Sequence, residues 1–257
     1  MKKIRAGLIG CGAVGQGLAR ALADGRGPVT LAAVFDIKPA AARALASSLK
    51  PAPAILPLNR MAARCDILIE AASPEAVQGV VRAALAKKRD VIVLSTAGML
   101  RAPGLMAAAA KRGIRLRLPS GAMAGIDAVK AAVCGKVTHV TLTTRKPPAG
   151  FFGNAYLKQK KISLVGLAEP VLLFDGPAAV AVRHFPVNVN VAATLSLAGI
   201  GPQKTRVRIF ADPSLSRNLH EVAVEGEFGR IIARTENAPV AGNPKTSPTI
   251  AVITAES

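Results

Sequence analysis

Tryptophan is absent from this 257-residue chain and aromatic side chains make up only 3% of it. The core must therefore be assembled from Ala, Val, Leu and Ile, and with 51% of residues apolar there is ample material for one. Cysteine is also scarce. Cys11, Cys65 and Cys134 are widely scattered and form no CxxC pair, which excludes a disulfide framework, suggests no metal site, and fits a reducing cytoplasm. No apolar run reaches the roughly 20 residues that span a bilayer, so no membrane partner is expected. The start MKKIRAGLIG has a basic front and an apolar stretch, but the glycines at 10, 12 and 15 account for it better than an export signal does.

Acidic residues are few: 15 Asp and Glu against 34 Lys and Arg, a net charge of +19. Such a balance raises the question of nucleic-acid binding. The basic residues are spread along the whole chain, however, with no basic tail and almost no aromatics for base stacking. A basic surface on an enzyme with anionic ligands is the better reading, and no nucleic-acid partner is expected.

What the chain does have is alternation. β-like runs at 4–9, 30–35, 66–71, 90–95 and 114–118 are separated by Ala-rich helical stretches near 13–23, 38–49, 75–87 and 103–112. Continuously apolar strands suit a parallel sheet covered on both faces, and strand–helix alternation implies right-handed βαβ units. After Pro119 the texture changes. A Gly-containing turn and helix (120–133) lead into an alternating strand (137–145), a loop-like stretch (146–162), a buried helix (187–199) and β-like runs at 205–211, 219–225 and 229–235. The expected fold is therefore α/β: a doubly wound Rossmann domain over 1–119, then a second α+β domain over 120–240 with a mostly antiparallel sheet. Asn243-Pro244 reads as a helix start, so a C-terminal helix over 241–257 is expected to pack back on the first domain.

Gly10-Cys11-Gly12-Ala13-Val14-Gly15 is a G-x-G-x-x-G match placed between a strand and a helix, with Asp36 at the end of the next strand. The first Gly permits the tight turn, the second lets backbone approach a pyrophosphate, and the third lets helix and strand pack closely. The helix N-terminus supplies free N–H groups and a positive dipole for phosphate. Asp36 would accept hydrogen bonds from the adenosine ribose and repel a 2′-phosphate, favouring NAD, although Lys38 leaves NADP open. Two further strand ends, Ala71-Ala72-Ser73 and Ser95-Thr96, are candidate cofactor contacts because ligands bind at the carboxyl ends of such strands.

Behind this start come SGAMAGIDAVKAA (120–132), TTRKPP (143–148), HFPVNVNVAATLSLAGIG (184–201), ADPSLSRNLHEVAVEGEFG (211–229) and NPKTS (243–247). In this order they resemble the L-aspartate dehydrogenase family, essentially end to end. The resemblance implies NAD(P)-dependent oxidation of L-aspartate to iminosuccinate, which hydrolyses to oxaloacetate and ammonia and can feed NAD biosynthesis. It also implies a homodimer. The family's catalytic histidine falls on His220, and its nicotinamide-side contacts on Ala122 and on Asn188 or Asn190, with Asn190 preferred. Dicarboxylate recognition calls for fixed cations or donors; Ser120, Arg145, Lys146, Lys245 and Thr246 are the candidates. Independently, histidine is the side chain best suited to move a proton near neutral pH. His139 lies in an ordinary alternating strand, and His184 has no obvious partner. Other Rossmann reductases, of the dihydrodipicolinate reductase or homoserine dehydrogenase type, are the alternatives within the class. A cofactor-sensing or nucleic-acid-binding protein is the alternative outside it.

Overall fold

The computed structural model describes residues 3–24, 27–185, 189–240 and 243–246. They form two compact units divided between Pro119 and Ser120. Among the described residues no helix is long and apolar enough to cross a membrane.

In the first unit, strands β1 (Ile4–Ile9), β2 (Val29–Phe35), β3 (Ala54–Ile55), β4 (Ile67–Glu70), β5 (Asp90–Val93) and β6 (Leu116–Arg117) form one sheet. Its order is β3-β2-β1-β4-β5-β6 and every pairing is parallel. This is the doubly wound Rossmann order, with the topological switch between β1 and β4. Helices α1 (Ala13–Ala23), α2 (Pro39–Ser47), α3 (Leu58–Arg64), α4 (Pro74–Ala86), α5 (Ala97–Leu100) and α6 (Gly104–Lys111) connect the strands. Proline opens α2 and α4, where its missing N–H costs nothing. The core is aliphatic, as the lack of aromatics requires: Leu8, Leu18, Leu31, Val34, Leu45, Ile69 and Ile92 pack together with small alanines. Each fully buried Leu or Ile contributes about 1.5–3 kcal/mol.

The second unit is built on a sheet of order β11-β10-β7-β9-β8, formed by β7 (Val137–Lys146), β8 (Val171–Pro177), β9 (Arg206–Ala211), β10 (Asn218–Gly226) and β11 (Gly229–Asn237). Three of its four pairings are antiparallel; β7 and β9 run parallel. Helices α7 (Ile126–Ala132), α8 (Ala155–Gln159), α9 (Ala178–His184) and α10 (Val189–Ala198) complete the unit. Most of the chain's aromatics are here, and Phe151, Tyr156, Phe174 and Phe185 form one cluster.

The stretch expected to be loop-like, 146–162, contains the short helix α8, and β8 (Val171–Pro177) lies where no element was expected. Asn243–Thr246 is not a helix start but strand β13, antiparallel to β12 (Pro239–Val240). Proline is tolerated in so short a two-stranded ribbon, where no central ladder depends on its N–H. Residues 247–257, the remainder of the expected C-terminal helix, lie outside the described residues.

Candidate functional site

In the first unit the carboxyl ends of β1, β2, β4 and β5 line up along one edge of the sheet, and backbone bonds continue the ladder just past them. Gly10 N–H donates to the Phe35 carbonyl at 2.8 Å, Ala71 N–H to Ile9 at 2.8 Å and Leu94 N–H to Glu70 at 3.0 Å. Gly10 has φ +100°, a conformation side chains avoid, and a Cβ there would lie 2.5 Å from the Ala71 carbonyl oxygen. Gly15, on the first turn of α1, is pressed against the Gly10 carbonyl, so any side chain there would collide with it. Gly12, the N-cap of α1, is different: a Cβ there would meet nothing within 4 Å. Its φ is an ordinary −75°. Open space above a helix N-terminus with no acidic residue in its first turn is what a pyrophosphate requires. Ala13 and Val14 form that first turn.

Asp36 directly follows β2. Its carboxylate accepts the Cys11 N–H at 2.8 Å and the Lys38 N–H at 2.8 Å, one on each oxygen. These two bonds lock the side chain against the glycine turn and leave lone pairs for ribose hydroxyls. Cys11 is buried, and burial followed by the neighbouring Asp36 pushes its thiol up to about 11, so it is an inert packing residue.

The strand-end loops carry a feature that the sequence reading missed. Glu70, the last residue of β4, is completely buried. Its Oε1 accepts from Ala72 N–H (2.8 Å), Ser73 N–H (3.0 Å) and the Ser95 hydroxyl (2.9 Å), and its Oε2 from Ser95 N–H (2.9 Å). Burial raises its pKa, and the four donors oppose that rise. One carboxylate thus ties the loop after β4 to the loop after β5. The N–H groups of Ala72, Ser73 and Ser95 are thereby committed, so what these loops offer a cofactor is carbonyls and shape. Thr96 is also buried. An acid ending the apolar run Ile67-Leu68-Ile69 was the available signal.

In the second unit one sheet face changes character along its length. Val140 and Leu142 on β7, Val222 and Val224 on β10, and Val207 and Ile209 on β9 make the aliphatic part. Further along the same face stand Thr144 and Lys146 on β7, His220 and Asn218 on β10, and Thr235 and Asn237 on β11, paired Thr144↔His220, His220↔Thr235 and Asn218↔Asn237. His220 is 3% exposed, and its Nδ1 lies 3.0 Å from Thr144 Oγ1. Burial, and secondarily the charge of Lys146, lower its pKa to about 3, which keeps the imidazole neutral. The carbonyl of Ala122 accepts from Thr235 Oγ1 at 3.0 Å and Asn237 Nδ2 at 3.1 Å, binding the turn that begins at half-buried Ser120 to this polar end.

The other candidates fall elsewhere. Strand alternation puts Arg145 on the face opposite His220, where it stacks 4.4 Å over Phe210 and pairs with Asp212 at 3.5 Å. Asn190 is exposed on the first turn of α10, and Asn188 lies outside the described residues. Lys245 and Thr246 belong to β13. Of the other histidines, His184 is stacked 4.3 Å from Tyr156 in the aromatic cluster and His139 is exposed near Glu225.

Comparison with known proteins gives concordant results. Residues 127–257 match the family model for the aspartate dehydrogenase C-terminal region, and residues 10–119 match that for the NAD-binding domain of homoserine dehydrogenase. L-aspartate dehydrogenase of Methanocella arvoryzae is 44% identical over 95% of this chain and 91% of that enzyme. The enzyme of the same name from Bradyrhizobium diazoefficiens is 38% identical over 95% of this chain and 86% of its own length. Among solved structures, aspartate dehydrogenase from Thermotoga maritima superposes with a TM-score of 0.73 at 23% identity, covering 98% of this chain and 94% of that one, which supports the fold.

Proposed function

Because the chain belongs to the L-aspartate dehydrogenase family, we propose that it oxidises L-aspartate to iminosuccinate, which water converts to oxaloacetate and ammonia. It is an oxidoreductase with a nicotinamide-binding first unit. The observation that carries the aspartate reading is a neutral, buried His220 placed beside Lys146 in the part of the chain that matches the aspartate dehydrogenase model.

When bound, the nicotinamide supplies the hydride acceptor. Gly10 to Gly15 would hold its pyrophosphate at the N-terminus of α1, and Asp36 its adenosine ribose. The fixed carboxylate of Asp36 favours NAD over NADP, since a 2′-phosphate would meet a charge already held in place by Cys11 and Lys38 N–H. An unchanged NAD/NADP ratio in Asp36→Ser would remove this assignment. Ala122 and Asn190 (or Asn188) are proposed for the nicotinamide side, and Ser120, Lys245 and Thr246 for the substrate side.

The substrate ammonium must lose a proton before its nitrogen lone pair can form the C=N bond as the Cα–H leaves with its electron pair. Water attacking that C=N bond must lose one as well. In the tautomer whose Nδ1–H donates to Thr144 Oγ1, 3.0 Å away, His220 presents the lone pair of Nε2 for both transfers. The substrate's carboxylates draw the imidazolium form back towards the working range.

We also infer a cytoplasmic homodimer that supplies iminosuccinate for NAD synthesis. The family resemblance supports the dimer and the pathway, and the three free cysteines support the compartment. The test is the near-ultraviolet absorbance of reduced nicotinamide on mixing the protein, NAD and each amino acid in turn, with homoserine and a dihydrodipicolinate-type substrate in parallel. L-aspartate should give the signal; homoserine alone doing so would move the chain to the homoserine dehydrogenase activity.

A further inference from the structure

On β11, Thr235 stands directly opposite His220, and Asn237 directly opposite Asn218. Both side chains leave the sheet for one and the same atom. The Ala122 carbonyl accepts from Thr235 Oγ1 at 3.0 Å and from Asn237 Nδ2 at 3.1 Å. A carbonyl oxygen has two lone pairs, so these two donors fill it. One neutral hydrogen bond barely offsets the entropy of fixing one loop residue, so the second donor decides whether the turn stays in place. The chain meets β11 again three residues later. Gly125, with φ +80°, is pressed against the strand, where a Cβ would come 2.7 Å from the Ala233 Cβ. Ala233 lies two residues before Thr235 and therefore on the same face. The turn itself is tight: Gly121 has φ +63°, Met123 N–H donates to the Ser120 carbonyl at 3.4 Å, and Met123 is buried.

We propose that Thr235 and Asn237 are positioning residues: they hold the Ser120–Ala122 turn where it confines the nicotinamide ring, and so keep hydride transfer in line with His220. This rests on the aspartate reading above, with Ala122 on the nicotinamide side. Both residues act through Ala122 and not on the reacting atoms. The row Thr144, His220, Thr235 crosses three adjacent strands. Thr144 orients the imidazole and Thr235 orients the turn, so the base and the turn take their places from a single strand register. Hydride transfer tolerates little misplacement, since about 1 Å between reacting groups can cost around 10²-fold in rate. A turn held by one carbonyl is also a turn that can be released by removing its donors, without touching the glycine turn that would bind the pyrophosphate.

The test compares Thr235→Ser, which keeps a hydroxyl, with Thr235→Val, which keeps the shape and loses it, and adds the double variant Thr235→Val/Asn237→Leu. All are full-length, and folding is checked by thermal unfolding. Calorimetry measures NAD affinity, and the fluorescence of bound reduced cofactor reports how its nicotinamide ring is held. Turnover is run on L-aspartate carrying hydrogen or deuterium at Cα. Thr235→Ser should match wild type. Thr235→Val should keep NAD affinity, lose roughly tenfold in kcat, and show a larger deuterium isotope effect. Its bound-cofactor fluorescence should shift towards that of free reduced cofactor. The double variant, which takes both donors from one carbonyl, should lose more than the two single losses combined. A merely structural role would lower the melting temperature and leave kcat per folded molecule, isotope effect and fluorescence unchanged, which would overturn the proposal. Equal losses in Thr235→Ser and Thr235→Val would overturn it as well, since the hydroxyl would then not be the cause. If the double variant does not fold, the Ser and Val comparison decides alone. Wild type inert towards L-aspartate sinks the functional reading itself, while the fluorescence comparison still decides whether Thr235 governs the ring.

Discussion

Thr144 Oγ1 and His220 Nδ1 lie 3.0 Å apart, on residues that stand directly opposite each other in the antiparallel pairing of β7 with β10. The sheet itself thus sets the orientation of the imidazole, and the Thr144 hydroxyl selects which ring nitrogen is left to act. His220→Ala should lower turnover roughly 10²–10⁴-fold, the span usual for general acid–base catalysis. Thr144→Val, nearly the same shape without the hydroxyl, should fold and lose part of the same activity, with NAD affinity unchanged in both. Turnover preserved in His220→Ala would take the proton-transfer role away from this residue.

The two glycines around the start of α1 should respond differently. At Gly12 the space is open and φ is ordinary, so Gly12→Ala should cost no more than about 1 kcal/mol, the scale of a changed N-cap. Its NAD affinity should nevertheless fall, because the added methyl sits where the pyrophosphate approaches. At Gly15 the methyl collides with the Gly10 carbonyl, so Gly15→Ala should destabilise the fold itself by about 1–3 kcal/mol. Calorimetric NAD binding and thermal unfolding separate the cases; equal loss of stability at both positions would contradict the assignment.

Glu70→Gln should weaken the cofactor site without touching it. An amide keeps one acceptor oxygen and turns an N–H₂ towards a backbone N–H, leaving a buried donor unsatisfied at a cost of about 1–3 kcal/mol. The loops after β4 and β5 lose their common tie, so KM for NAD should rise while KM for L-aspartate changes little. Unaltered KM for NAD in a destabilised Glu70→Gln would make the residue purely structural.

Two buried bases give stability a pH signature. His220 titrates near 3 when folded against 6.5 when unfolded, so the unfolded chain binds more protons between those values and stability falls as pH drops through that window. Lys146 titrates near 8 against 10.5, so its burial penalty is fully present below about pH 8 and is relieved as pH rises towards 10.5. Lys146→Met should accordingly be more stable than wild type near neutrality, with the gap closing above pH 8. A gap independent of pH between 8 and 10.5 would show that Lys146 is not held as described.

Much of this was legible in the sequence because the governing physics is local. Parallel strands covered on both faces must be continuously apolar, and the spacing of Gly10, Gly12, Gly15 and Asp36 follows from one turn and one strand. Glu70 was not legible, since its partners Ala72, Ser73 and Ser95 are gathered by the sheet and two of its bonds cross to the next strand's loop. Motif position makes candidates of Arg145 and Lys146 alike. Carrying the phase Val140–Leu142–Thr144 one step further puts Lys146, and not Arg145, on the buried face. The helix start expected at Asn243-Pro244 is a strand for a related reason: Asn-Pro is a local cap signal, while the pairing of β13 with β12 is a tertiary fact.

The most direct test of the central claim is isotopic. L-aspartate deuterated at Cα is incubated with the enzyme and NAD, and the reduced nicotinamide is analysed by mass spectrometry together with the keto acid. One deuterium should be carried into the reduced cofactor for each oxaloacetate and ammonia released. Unlabelled reduced cofactor, or oxaloacetate formed without cofactor reduction, would contradict it.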